Sequence, residues 1–128
     1  MVLPKMKDDI KKVLIDENEL KAIVKRLGAE ITADYLGKDV LLIGILKGSV
    51  IFMADLMRNV TVNCSVDFMA VSSYSGTSST GAVKINKDLN ESIDGKHIIL
   101  VEDILDSGVT LNYLKNYLSV RNPASIRI

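Results

Sequence analysis

The chain has a single cysteine, Cys64, so it cannot form an internal disulfide. A lone thiol fits a reducing compartment and packs as a small apolar side chain. Tryptophan is absent and aromatic residues make up 5% of the sequence. That leaves few platforms on which single-stranded nucleic acid could stack its bases. Charge of either sign is not in excess: 16 basic residues balance 16 acidic ones. No global field therefore draws the chain to nucleic acid or to an anionic membrane. No apolar run approaches the ~20 residues of a membrane span. The N-terminus carries lysine and aspartate where a signal peptide needs an apolar stretch. A cytoplasmic protein with neither nucleic acid nor membrane as partner is the expectation.

What is present suits one soluble domain over residues 1–128, with 48% hydrophobic and 25% charged residues. Residues 1–12 are charged and expected to fray, while Val13, Leu14 and Ile15 are expected to pack. Asp16 followed by Glu19 has the form of a capping box. Leu20, Ile23, Val24, Leu27 and Ile31 then mark one helical face, with Gly37 as its C-cap. The run 40–46 is continuously apolar, as a strand covered on both faces should be. A second helix spans about 49–58, with Met53 and Met57 in the core. A strand follows at 64–71, with Val66, Phe68 and Ala70 on one face and Asp67 on the polar one. Residues 82–85 form a short strand, and Asp94-Gly95 a turn before a buried strand at 97–101. His97 reads as structural, having no metal-spaced partner. The third helix, with Leu111, Leu114 and Leu118, stops before Pro123. Residues 124–128 begin another strand. This alternation predicts an α/β fold with a parallel-sheet core flanked by helices.

Three stretches carry chemistry. Glu102-Asp103-Ile104-Leu105-Asp106-Ser107-Gly108-Val109-Thr110 leaves a strand and opens a helix. Ligands of open α/β sheets bind at such strand ends, and a helix start holds phosphate on its free N–H groups. Carboxylates suit sugar hydroxyls or a metal, so acids beside an anion nest describe a site for a phosphorylated sugar. The bland reading is an acid-rich capping turn. Leu46-Lys47-Gly48-Ser49 is a second strand–helix turn, where glycine admits close backbone approach. It lacks the spacing of a Walker A loop, and alone it reads as an ordinary turn with a solvated lysine. The Ser/Thr/Gly tract 72–81, interrupted by Tyr74, is long for a connector and has the look of a lid.

The motif at 101–110 closely resembles the phosphoribosyl pyrophosphate (PRPP) motif of type I phosphoribosyltransferases. Asp106 beside the Glu102-Asp103 pair is most similar to the hypoxanthine-guanine branch. The resemblance runs from about residue 13 to residue 128. It implies a type I phosphoribosyltransferase fold with a flexible lid loop. It also implies purine salvage: transfer of the phosphoribosyl group from PRPP to hypoxanthine or guanine, giving IMP or GMP and pyrophosphate with Mg²⁺. By the same resemblance Asp106 is the catalytic acid–base group, taking a proton from purine N7. Asp106, Ser107, Gly108, Val109 and Thr110 cradle the 5′-phosphate. Glu102 and Asp103 hold the ribose hydroxyls and the metal. Lys47 and Gly48 bind pyrophosphate, with a cis Leu46–Lys47 peptide, and Ser73-Tyr74 belongs to the lid. Bacterial members are longer. The Leu-Asp-Lys-Pro stretch, the stacking aromatic, a further acidic metal ligand and a pyrophosphate-binding arginine would all follow Ile128. The chain thus resembles a C-terminally truncated member, with its last core strand and C-terminal hood segment incomplete. It is expected to be inactive alone and a homodimer or homotetramer when full length. The choice among hypoxanthine, guanine and xanthine would lie beyond Ile128. A rival on the same fold is a regulatory PRPP- or nucleotide-binding protein, such as an RNA-binding attenuator, and RNA retention at low salt separates the two.

Overall fold

The apolar run at 40–46 forms strand β1 (Val40–Leu46), the middle strand of a five-stranded sheet. Its position explains its composition: both faces are covered, so both phases of the strand are apolar. The structure is a computed structural model that describes residues 7–73 and 83–128. Helix α1 (Glu17–Asp34) precedes β1. After it come α2 (Val50–Met57), β2 (Cys64–Ser73), β3 (Val83–Lys87), β4 (His97–Val101), α3 (Val109–Ser119) and β5 (Ser125–Arg127). The strand order is β3-β2-β1-β4-β5. All neighbours are parallel except β3, which pairs antiparallel with β2. The chain leaves β1 for β2 on one side and later builds β4 and β5 on the other. The order therefore reverses between β1 and β4, and ligands of such sheets bind in the crevice that opens there.

Helices α1 and α2 cover one face, where Val24, Leu42, Met53, Leu56 and Val101 pack together. Helix α3 covers the other, with Ile43, Ile45, Met69, Leu100, Leu114 and Leu118. Asp16 caps α1, its carboxylate accepting the Glu19 N–H at 2.8 Å. The helix ends earlier than Gly37 suggests: Tyr35 is its C-cap, and Gly37 turns the chain beyond it at φ 73°. Gly28 lets α1 approach closely, since a Cβ there would lie 2.6 Å from the Asn59 carbonyl oxygen.

Several expectations about burial are corrected. Leu20 and Ile23 are exposed rather than core, and Leu20 lines a groove with Val24, Asp55 and Asn59 that stays open between α1 and α2. Val13, Leu14 and Ile15 precede α1 and are also exposed. Met53 is buried, but Met57 closes a helix of only 8 residues and is exposed. Strand β2 runs on through Ser73, and β3 spans Val83–Lys87, with Ala82 outside the described residues. Asp67 is not on a solvated face. It shares the α3 side of the sheet with Met69 and Val71, and its side chain is only 13% exposed. Its carboxylate accepts the N–H groups of Phe68 and Asn90 at 2.7 and 2.9 Å. His97 is structural: its Nδ1 lies 2.7 Å from Ser125 Oγ, joining β4 to β5, and its ring meets Tyr35 edge-on. Cys64 is half-buried, which pushes its thiol pKa up. Among the described residues no helix is long and apolar enough to cross a membrane.

Candidate active site

Two turns meet at the reversal point. The first leaves β1 through a cis Leu46–Lys47 peptide, as the resemblance implies, and enters α2 at Ser49. Ser49 is fully buried and donates its hydroxyl to Ile45 O at 2.7 Å, which anchors the turn to the strand. The second turn, residues 102–108, leaves β4 and enters α3. Gly108 caps α3 at φ 80°, in the left-handed region that favours glycine, and gives no side-chain cap. The opening N–H groups of α3 are thus not taken by the cap residue. Val109 N–H reaches Ser107 Oγ at 3.4 Å.

The turns touch. A Cβ on Gly48 would stand 2.8 Å from Asp103 Oδ2, so the Asp103 carboxylate fills the space where a side chain would be. Between them lies a cleft of about 340 Å³. Ile45, Leu46 and Gly48 form one wall, Val71 of β2 a second, and residues 102–108 with Thr110 and Leu111 the third. Of the predicted site residues, the fold brings together Gly48, Glu102, Asp103, Asp106, Ser107, Gly108 and Thr110. Lys47 and Val109 are exposed beside the cleft and do not line it. Ser73 ends β2 in register with Val83, while Tyr74 and the rest of the expected lid through Gly81 lie outside the described residues.

The acid pair is electrostatically divided. Burial first, and then hydrogen bonding with Asp103, pushes the Glu102 pKa up to about 7. Asp103 accepts from Glu102 and is held below the usual carboxylate range. The Asp103 N–H also donates to Glu102 Oε1 at 3.0 Å. Near neutrality the pair thus offers one firm anion and one exchangeable proton. Among the described residues no group of three or more His, Cys, Asp or Glu could hold a metal ion by itself. A second, mostly apolar cavity of about 240 Å³ lies on the α1 side of the sheet. Leu27, Ile31, Tyr35 and Phe52 line it, and it shares Glu102 with the cleft.

Sequence reasoning does not identify Val71, Ile104 and Leu105 as cleft residues. Ile104 and Leu105 are 70% and 71% exposed. Two large apolar residues inside an acidic turn, in register with neither strand nor helix, are the signal that could have found them. Val71 carries no such mark, because only strand pairing brings it to the cleft.

Residues 12–128 match the phosphoribosyl transferase domain family. The chain is similar to the hypoxanthine-guanine phosphoribosyltransferase of Streptococcus agalactiae, with 48% identity over 124 residues, which are 96% of this chain and 69% of that protein. Among solved structures it is similar to a hypoxanthine phosphoribosyltransferase from Staphylococcus aureus. There the TM-score is 0.93 at 44% identity, over 100% of this chain and 71% of that one. It is also similar to a hypoxanthine-guanine phosphoribosyltransferase from Bacillus anthracis, with TM-score 0.84 and 41% identity over 91% of this chain and 68% of that one.

Proposed function

This chain belongs to the phosphoribosyltransferase family, and from that premise we propose that the cleft between its two turns is the PRPP end of a purine-salvage active site. The activity is phosphoribosyl transfer in purine salvage, as in the hypoxanthine-guanine relatives. One observation carries the assignment of the site: the Gly48 turn and the acid turn close on each other at the carboxyl ends of β1 and β4. A ligand with anions at both ends and a diol between them fits this layout.

In this reading the 5′-phosphate lies against the opening N–H groups of α3, with Ser107, Gly108, Val109 and Thr110 around it. Val109 contributes through its backbone, since its side chain is exposed and does not line the cleft. The ribose hydroxyls donate to Glu102 and Asp103, and the pyrophosphate lies over Lys47 and Gly48. Hypoxanthine or guanine attacks C1 as the bond to pyrophosphate breaks, through an oxocarbenium-like transition state. Asp106 takes the proton from purine N7, and the products are IMP or GMP and pyrophosphate. Family membership implies a divalent metal. The donor set fits Mg²⁺: two adjacent carboxylates, with no three-residue cluster among the described residues, suit an ion that keeps waters and substrate oxygens as ligands. Glu102 and Asp103 would hold it, and it would supply charge neutralisation for the departing pyrophosphate. A homodimer or homotetramer is the proposed assembly of the full-length protein.

The test is calorimetric titration of the chain with PRPP, with and without Mg²⁺, beside inorganic phosphate. Saturable, Mg²⁺-dependent binding of PRPP well above that of phosphate is expected. Equal response to the two ligands would remove the PRPP assignment.

A further inference from the structure

Consecutive residues at the end of β3 reach in different directions, and neither belongs to the cleft. Lys87 Nζ donates to Phe68 O at 2.8 Å and approaches Asp67 Oδ1 at 3.5 Å, both on β2. It also holds Asp88 O and Asn90 Oδ1, at 3.1 and 3.4 Å. Asp88 turns to α3 and the residues just after it. Its carboxylate accepts both Arg121 Nη groups, at 3.0 and 2.6 Å, and the Tyr117 hydroxyl at 2.7 Å. The Arg121 guanidinium also lies over the Tyr117 ring, 4.7 Å from its centroid. One dipeptide therefore fastens strand β2 to helix α3.

These two elements carry opposite walls of the cleft. Val71 is on β2, and Ala70 pairs with Leu46, where the first turn begins. Strands β1 and β2 share seven register pairs, so the pyrophosphate turn moves with β2. Helix α3 presents Gly108, Thr110 and Leu111 from the other side. Tyr117 is about 12 Å along the helix from Val109. Because the helix is rigid, holding its far end fixes the aim of its start.

We propose that Lys87 and Asp88, with Asp67, Tyr117 and Arg121, are positioning residues that set the distance between the pyrophosphate turn and the phosphate-binding start of α3. The proposal rests on the PRPP reading of the cleft. It makes the bracket a determinant of specificity: a ligand with anions at both ends needs the set distance, and a ligand with one anion does not. Ribose 5-phosphate is the one-ended comparison, because it lacks the pyrophosphate.

The experiment measures dissociation constants for PRPP and ribose 5-phosphate, both with Mg²⁺, for the chain and for Lys87→Met, Asp88→Asn and Tyr117→Phe. A small misplacement of a bound group can cost up to about 10²-fold. We expect PRPP to weaken on the order of tenfold in Lys87→Met and Asp88→Asn, with ribose 5-phosphate changing by less than about twofold. Tyr117→Phe removes one hydroxyl and should weaken PRPP in the same selective way, by less. It decides the matter if the two charge variants do not fold. Unchanged PRPP binding would overturn the proposal, as would equal weakening of both ligands, which is the mark of general loosening. An unsubstituted chain that bound the two ligands equally would overturn the PRPP reading, and the bracket with it.

Discussion

Gly48 and Asp103 compete for one volume, which makes Gly48→Ala a sharp probe of the cleft. The new Cβ would meet carboxylate oxygens at 2.8 and 2.9 Å, closer than such atoms approach. Asp103 must then swing away from the place proposed for it against the ribose. PRPP affinity is expected to fall on the order of tenfold, since orientation of bound groups is costly to lose. An unaltered dissociation constant by calorimetry would mean that Asp103 moves without consequence. Asp106 predicts a different pattern. It is exposed in the acid turn and lines the cleft, so Asp106→Asn keeps the size of the side chain while removing its charge and its ability to take a proton. In a full-length enzyme carrying this cleft, kcat should drop about 10²–10⁴-fold, the usual contribution of a general base. PRPP binding should change far less. Near-normal turnover in single-turnover kinetics would remove the proton-accepting role. The residues of the acid turn are readable in the sequence because the turn is contiguous, so its carboxylates and their spacing appear together. The approach of Gly48 to Asp103 is not, because those residues meet only when β1 and β4 pair.

The elements differ in how openly the sequence declares them. Strand β1 is plain because a strand covered on both faces has no room for polar residues. The start of α1 is plain because Asp16 and Glu19 satisfy a local rule, and the N–H···O bond between them is present. The exposed Leu20, Ile23 and Met57 are not plain, because helical periodicity names a face without saying how far the covering element extends. Asp67, Lys87 and Asp88 are hidden for a related reason: their partners lie up to 33 residues away. That network predicts a pH signature. Hydrogen bonds from Arg121 first, then from Tyr117 and the Leu89 N–H, hold the Asp88 carboxyl well below its usual range. A carboxyl depressed in the folded state adds stability above its unfolded pKa of about 3.9, and the contribution fades as pH falls below it. Asp88→Asn should therefore be less stable than the unsubstituted chain by a constant margin from pH 8 to about 5, narrowing below about 4. Urea denaturation midpoints across that range measure it. A margin independent of pH would show that the charge of Asp88 contributes nothing.

For the molecule as a whole, the alternation of apolar strands and helices is enough to predict the parallel core. The antiparallel edge strand β3 is also anticipated as a short strand, though its length and partner are not. What no reading of separate segments supplies is the reversal in strand order, which puts residue 48 against residue 103. That meeting has a thermodynamic consequence. No stretch of the unfolded chain holds both turns at once, so a ligand that grips both is bound only by the native state. Such a ligand acts as a reversible cross-link between distant parts of the chain. Its stabilisation grows as the logarithm of its concentration, about 2.7 kcal/mol at a hundred times the dissociation constant. In the presence of Mg²⁺, the melting temperature should therefore climb steadily with PRPP long after the site is nominally full. A melting temperature that levelled off at saturation would show that PRPP is also gripped by the unfolded chain. Occupancy of the cleft would then be a measure of how much of the chain is folded, and the substrate a part of what keeps it so.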